Sequence, residues 1–222
     1  DIIQRFTLTG SVAVITGGGR GIGRAIALAY AQAGADVVLA ARTLSDVEAV
    51  ADAVRDLGRR ALAVQCDVND AEQRAALITR AREHMGRITH LVNNAGGAGP
   101  NDPLTLTVER FEEIMRFNVS SAYHLTQLCV PHMRDAGGGN IINITSGAAR
   151  YAQTQFSAYG TAKAALSHMT RLLAQDFAPQ VRVNAIAPGE VETAILSPGT
   201  DKIVEKLPMQ RLGQPKEVAD VI

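Results

Sequence analysis

The sequence predicts an α/β fold: a doubly wound parallel sheet with helices on both faces. Three observations predict it. Six short apolar, β-branched runs punctuate the 222 residues. Segments with apolar residues at helical spacing lie between them, and strand–helix alternation is the signature of a parallel sheet covered on both sides. A glycine-rich turn, TGGGRGIG at 16–23, joins the first run to the first helix.

VAVIT (12–16) has no polar alternation, as expected of a strand buried on both faces. GIGRAIALAYAQAG (21–34) is helical in period and ends at Gly34, a C-cap residue. ADVVLAA (35–41) is a second buried strand. SDVEAVADAVRDLG (45–58) reads as a helix with Ser45 as N-cap, Glu48 completing a capping box and Gly58 as the stop. ALAVQC (61–66) is a strand and DAEQRAALITRAREHMG (70–86) a helix. THLVNNAG (89–96) runs from strand into loop, and residues 108–135 form a long helical stretch. NIINIT (140–145) is a strand, SAYGTAKAALSHMTRLLAQDF (157–177) a strong helix, and VRVNAIAPG (181–189) a strand into a loop. PKEVADVI (215–222) begins a helix. There is no internal repeat, linker or low-complexity tract, so a single domain over 1–222 is expected.

Composition narrows the function classes. Lys plus Arg and Asp plus Glu both total 22, so no net field favours nucleic acid or an anionic membrane. There is no basic stripe, and aromatic residues are only 4% of the chain, which leaves little for base stacking. No apolar run approaches the ~18 residues of a membrane span, and no secretion signal is visible, so a cytoplasmic location is expected. Cys66 and Cys129 are far apart, with no CxxC spacing, and are read as reduced, buried small side chains.

The glycine loop sits where an open α/β sheet binds a dinucleotide. A helix N-terminus offers free N–H groups and the positive end of a dipole to a pyrophosphate. Gly17, Gly19, Gly21 and Gly23, with Arg20 and Ile22, make up this candidate cradle; loops of this composition also make plain strand–helix turns. The second strand ends in Ala41 and Arg42. An acid after that strand would bind ribose hydroxyls and repel a 2′-phosphate. None is there, and Arg20, Arg42 and the hydroxyl of Thr43 favour NADP(H) over NAD(H), against the alternative of two solvated arginines. Asp46, nearby, weakens this argument. Asp67 and Val68, ending the third strand, are placed at the adenine, although Asp67 also suits a turn or helix cap.

Tyr159 and Lys163 lie four residues apart on one helix face. A nearby ammonium lowers the pKa of a phenol, ordinarily about 10, and fits it for general acid–base work. Ser146 follows the NIINIT strand at its C-terminal end, where ligands bind, and can hydrogen-bond a substrate oxygen or cap a turn. Asn118 is a poor helix former inside a helical stretch. It is either a satisfied core amide or part of a proton relay. Asn93, Ala95 and Gly96 leave the fourth strand toward the same edge. Pro188 and Gly189 leave the sixth, with Val191 and Thr193 beyond them.

Together these motifs resemble the short-chain dehydrogenase/reductase family: TGxxxGxG at 16–23, Asp67, NNAG at 93–96, Asn118, Ser146, Tyr159 with Lys163, and Pro188, Gly189 and Thr193, in the family's order and over nearly the whole chain. The resemblance implies a Rossmann fold and hydride transfer between a nicotinamide cofactor and a carbonyl or alcohol carbon. It implies Tyr159 as acid/base, Ser146 as orienter of the substrate oxygen, Lys163 on the nicotinamide ribose, and Asn118 holding a relay water. It implies a homo-oligomer, tetramer or dimer. The family pattern continues beyond residue 222 with a last helix and strand, which are expected to be missing here, and the lid at 190–207 looks short.

Tyr151, Phe156, Leu196 and Met209 are expected as apolar walls of the substrate pocket, which predicts a neutral, fairly hydrophobic substrate of the 3-oxoacyl-thioester or ketosteroid kind. A glucose-type sugar dehydrogenase and a non-catalytic NADP(H)-binding sensor are the alternatives. No metal site is expected.

Overall fold

A computed structural model describes residues 2–193, 204–205 and 207–222. The six apolar runs form one parallel sheet: β1 (Val12–Thr16), β2 (Asp36–Ala41), β3 (Ala61–Gln65), β4 (His90–Asn93), β5 (Gly139–Ile144) and β6 (Val181–Ile186). Their order is β3-β2-β1-β4-β5-β6. Ile15 of β1 is flanked by Leu39 of β2 on one side and Val92 of β4 on the other. The order reverses between β1 and β4, and such a switch point opens a crevice at the carboxyl ends of the strands.

Alternate strand residues feed two separate cores. Val12, Val14, Val38 and Ala40 join Leu77, Leu125 and Met133 on one face. Ala13, Ile15, Val37 and Leu39 join Ile26, Val47 and Ala219 on the other. The first face is covered by α3 (Ala71–Met85), α5 (Ser121–Asp135) and α6 (Ser157–Asp176). The second is covered by α1 (Gly21–Gln32), α2 (Leu44–Asp56) and α7 (Pro215–Val221). Burying a Val, Ile or Leu stabilises by ~1.5–3 kcal/mol, so this two-sided burial explains why the strands read as unbroken apolar runs. The edge strand β6 keeps Arg182 and Asn184 exposed.

Two local expectations are corrected. Helix α2 begins at Leu44 and its N-cap is Thr43, with no side-chain cap bond. Ser45 therefore lies inside the first turn and forms no capping box with Glu48. The stretch 108–135 is not one regular helix. α4 (Val108–Met115) passes into a π turn (Arg116–Ser120) before α5. The π turn holds Asn118. A capping box is present instead at α7, where Gln214 and Glu217 satisfy each other's backbone N–H and Pro215 opens the helix.

Candidate active site

Every candidate loop leaves the carboxyl edge of the sheet, and the glycine loop is held in place before any ligand arrives. Thr16, the last residue of β1, accepts through Oγ1 from the amides of Asn94 (3.1 Å) and Ala95 (3.0 Å). The Asn94 side chain donates to the carbonyls of Thr16 (2.9 Å) and Gly17 (3.2 Å). Gly17 has φ +64°, a left-handed conformation that suits glycine. A methyl group on Gly23 would run into the Gly17 carbonyl and the Asn94 amide. The loop thus folds back on itself with no room for side chains. Arg20 is the N-cap of α1 but gives no side-chain cap bond, and the first turn holds no acid. Its amides face the crevice without a side-chain cap, so the residues fit a pyrophosphate. Thr193 approaches this turn, its Cγ2 lying 3.3 Å from where a Gly21 Cβ would be.

Arg20, Arg42 and Thr43 are exposed, and among the described residues neither arginine makes an ion pair. Gln65 donates to the Arg42 carbonyl at 2.9 Å and fixes the backbone there. Asp46 packs beneath the loop: its Cβ is 2.7 Å from where a Gly19 Cβ would be. Asp67 takes the turn role through one oxygen, accepting from Asn69 N (2.9 Å) and Asn69 Nδ2 (3.1 Å). The Val68 carbonyl accepts from the buried guanidinium of Arg74, whose Nε also bonds His124 Nδ1 at 2.9 Å. Arg74, invisible as a site residue in the sequence, ties the third loop to α3 and α5.

The second half of the crevice gathers four side chains. Lys163 is 3% exposed and its Nζ donates to the Ile144 carbonyl at 2.9 Å. Desolvation pulls its pKa down from 10.5 to about 8. Asn118 is 1% exposed and its amide is fully used: Gly97 N donates to Oδ1 at 2.8 Å, and Nδ2 donates to Ile114 O at 2.9 Å and Gly97 O at 3.2 Å. Gly96 sits between the two. A Cβ there would be 2.8 Å from Asn118 Oδ1 and 2.9 Å from Lys163 Nζ. Tyr159 is half-buried, its ring 5.7 Å from Lys163 Nζ and edge-on to Phe156. Ser146 caps a short turn by accepting from Ala148 N at 3.2 Å and lies beside Tyr159.

The acid–base balance differs from the expectation drawn from spacing. Burial pushes the Tyr159 phenol above its ordinary value, and the group that pulls it back is the Ser146 hydroxyl. The Glu190 carboxylate pushes it further up.

Asn93 ends β4 with its side chain turned into the sheet, donating to Asn143 Oδ1 at 2.9 Å. Asn143 donates in turn to Thr170 at 2.9 Å. Its neighbour Asn94, rather than Asn93, touches the glycine loop. Pro188 and Gly189 pass over Ser146, with Gly147 N donating to Pro188 O at 2.8 Å. Val191 pairs with Gly213. Of the expected pocket walls, Tyr151 and Met209 are exposed and Phe156 is half-buried. Leu196 lies outside the described residues, as does most of the lid.

A family model described as short chain dehydrogenase matches residues 11–203. The chain belongs to the short-chain dehydrogenase family. This short-chain dehydrogenase is 47% identical, over 98% of its own length and 86% of the relative's, to an uncharacterized oxidoreductase of Mycobacterium tuberculosis. It is 39% identical to the 7alpha-hydroxysteroid dehydrogenase of Escherichia coli, over 96% of this chain and 86% of that one. A solved structure of 7 alpha-hydroxysteroid dehydrogenase complexed with NADH and 7-oxo glycochenodeoxycholic acid superposes with TM-score 0.93 at 38% identity, covering 98% of this chain and 88% of that one. A short-chain type dehydrogenase/reductase from Mycobacterium marinum superposes with TM-score 0.94 at 35% identity, over 100% of this chain and 90% of that one. Short-chain dehydrogenases bind a nicotinamide dinucleotide and act on alcohol or ketone groups. The six-stranded parallel sheet of this chain superposes on theirs. Among the described residues no helix is long and apolar enough to cross a membrane.

Proposed function

We propose that this chain is an NADP(H)-dependent oxidoreductase that moves a hydride between the nicotinamide and a carbonyl or secondary alcohol of a neutral, fairly hydrophobic substrate, of 3-oxoacyl-thioester or ketosteroid kind. One observation carries the reading: Lys163 and Asn118 converge on Gly96 beneath Tyr159 and Ser146. Buried polar groups need partners, and these four gather at the carboxyl edge of the sheet, where open α/β sheets bind ligands.

The cofactor, when bound, supplies the hydride. The residues that would hold it are Gly17, Gly19, Arg20, Gly21, Ile22 and Gly23 at the phosphates and Arg42 with Thr43 at the ribose phosphate. Asp67 and Val68 serve the adenine. Ala95, Gly96, Pro188, Gly189, Val191 and Thr193 would line the nicotinamide end, with Asn93 anchoring the strand beneath them through Asn143. Tyr159 gives its phenolic proton to the carbonyl oxygen as the carbon gains hydride, or takes it from an alcohol in reverse. Ser146 orients that oxygen by donating to it. Lys163, held by the Ile144 carbonyl, keeps two donors for the ribose. Asn118 shapes the backbone at Gly97, from which a relay of water to Lys163 is built.

Arg20 and Arg42, exposed and unpaired among the described residues, support NADP(H). A second reading, NAD(H), is favoured by Asp46 packing under Gly19 beside Arg20. The homo-oligomer, a dimer or tetramer, is supported by exposed Val108, Tyr123 and Leu172 on α4, α5 and α6. Light scattering on the purified protein tests it, and a monomer at micromolar concentration would overturn it. The test of the activity is NADPH and NADH oxidation with 3-oxoacyl thioesters, ketosteroids, sugars and simple ketones. Tight NADPH binding with no turnover of any ketone and no oxidation of any alcohol would leave the sensor reading standing instead.

A further inference from the structure

The charge of the substrate is the property least defined by the four residues around Gly96, and the loop leaving β6 supplies it. Pro188 is pinned to the Ser146 turn by the Gly147 amide, and the Gly189 Cα lies 4.0 Å from where a Gly147 Cβ would be. The next residue is Glu190. Its backbone is fixed from the other side, with Gly213 N donating to its carbonyl at 2.9 Å. Glu190 is therefore held at the mouth of the crevice, half-buried. Among the described residues its carboxylate has no ion-pair partner and no hydrogen-bond donor. The acid two residues on, Glu192, is occupied by Gln214 at 2.6 Å. Pro188, two residues before it, is bonded to the turn that Ser146 caps, and Ser146 lies beside Tyr159, so the loop brings Glu190 close to whatever lies against that phenol.

We propose that Glu190 is a specificity-determining residue that selects substrate charge: it rejects ketones carrying an anionic group near the reacting carbon and favours those carrying a cationic or hydrogen-bond-donating group there. This rests on the oxidoreductase reading above and refines it. A half-buried carboxylate with no partner among the described residues gains most from a ligand that brings one, and a second anion there meets no counter-charge among them. A unit charge about 6 Å away at an effective dielectric of 20–40 changes affinity by roughly tenfold or more.

The test is a matched set of ring ketones on the NADPH-loaded protein: a neutral methylcyclohexanone, a quaternary dimethylpiperidinone and an oxocyclohexanecarboxylate. Wild type is expected to prefer the cation to the anion by at least about tenfold in kcat/KM, normalised to the neutral ketone. Glu190→Gln should collapse that ratio toward one, and Glu190→Lys should invert it. The backbone, not the side chain, makes the contacts to Gly147 and Gly213, so both variants keep the loop. Equilibrium dissociation constants of the same ketones give the ratio independently of turnover. A ratio within twofold of wild type in Glu190→Gln overturns the proposal. A cation-over-anion preference in the wild-type dissociation constants that Glu190→Gln abolishes, in a chain that turns over neither these ketones nor the wider panel above, would sink the oxidoreductase reading and leave the charge filter standing.

Discussion

The ammonium of Lys163 donates a 2.9 Å hydrogen bond to the carbonyl of Ile144, the last residue of β5. The bond locks the candidate acid–base helix α6 to the strand edge that carries Ser146. It also keeps a charge where water does not reach, and folding bears the cost.

That cost gives the first prediction, a pH dependence of stability. Lys163 has a folded-state pKa of about 8 against 10.5 ordinarily. Between those values the unfolded chain binds more protons, so stability rises with pH across that window; the burden is full below about pH 8. It amounts to about 3 kcal/mol. Denaturant midpoints of wild type and Lys163→Met, measured from pH 7.5 to about 10.5, should converge as pH rises. Parallel curves would place the lysine in contact with water.

Tyr159→Phe removes the phenolic proton and leaves the ring against Phe156. Turnover should fall at least about a hundredfold, the scale of general acid–base catalysis, while the dissociation constant for NADPH changes by less than about threefold. Because burial raises the phenol's pKa, alcohol oxidation by wild type should climb with alkaline pH as the proton is lost. Steady-state rates read both; near wild-type turnover in the variant would take Tyr159 out of the mechanism.

Arg42→Ala should weaken NADPH binding by about tenfold or more and NADH binding hardly at all, since charge-assisted hydrogen bonds to a 2′-phosphate are worth ~1.5–3 kcal/mol. Fluorescence titration with both cofactors decides it. Equal losses would favour the Asp46-centred NAD(H) reading.

Asn94→Ala cuts the two bonds that hold the carbonyls of Thr16 and Gly17. Both cofactors should bind about tenfold more weakly, because the loop must then be ordered at the moment of binding. Thermal stability should fall by about 1–3 kcal/mol, the cost of partnerless carbonyls. Unchanged affinity in calorimetry would show the loop to be held by Thr16 by itself.

The sheet was legible because its strands are buried on both faces: VAVIT carries its address in five consecutive apolar or β-branched residues. Gly23 and Asn118 were legible because each is an odd residue type for its element, and Lys163 because it stands four residues from Tyr159 on one helix face. What the sequence hid has a physical reason in each case. Thr43 and Ser45 are equally good caps, and only the backbone decides between them. Asn93 and Asn94 are chemically identical, and the end of the strand sends one into the sheet and the other to the glycine loop. The direction of the Tyr159 shift depends on how deeply the ring is buried, which a spacing of four residues does not encode. Glu190 falls in the expected lid, just after Pro188 and Gly189, but its neighbours, like those of Arg74, are fixed only when distant segments meet.

The π turn at 116–120 has a consequence for how this chain tolerates change in length. A wide turn holds one residue more than a regular helix needs. Deleting a single residue there would let α4 and α5 join as one unbroken helix. Each residue turns a helix by about 100°, so the same deletion would rotate Asn118 away from Gly97 or shift all of α5 against β4. An alignment-neutral trim of the helix would improve its local geometry and dismantle the floor beneath Gly96.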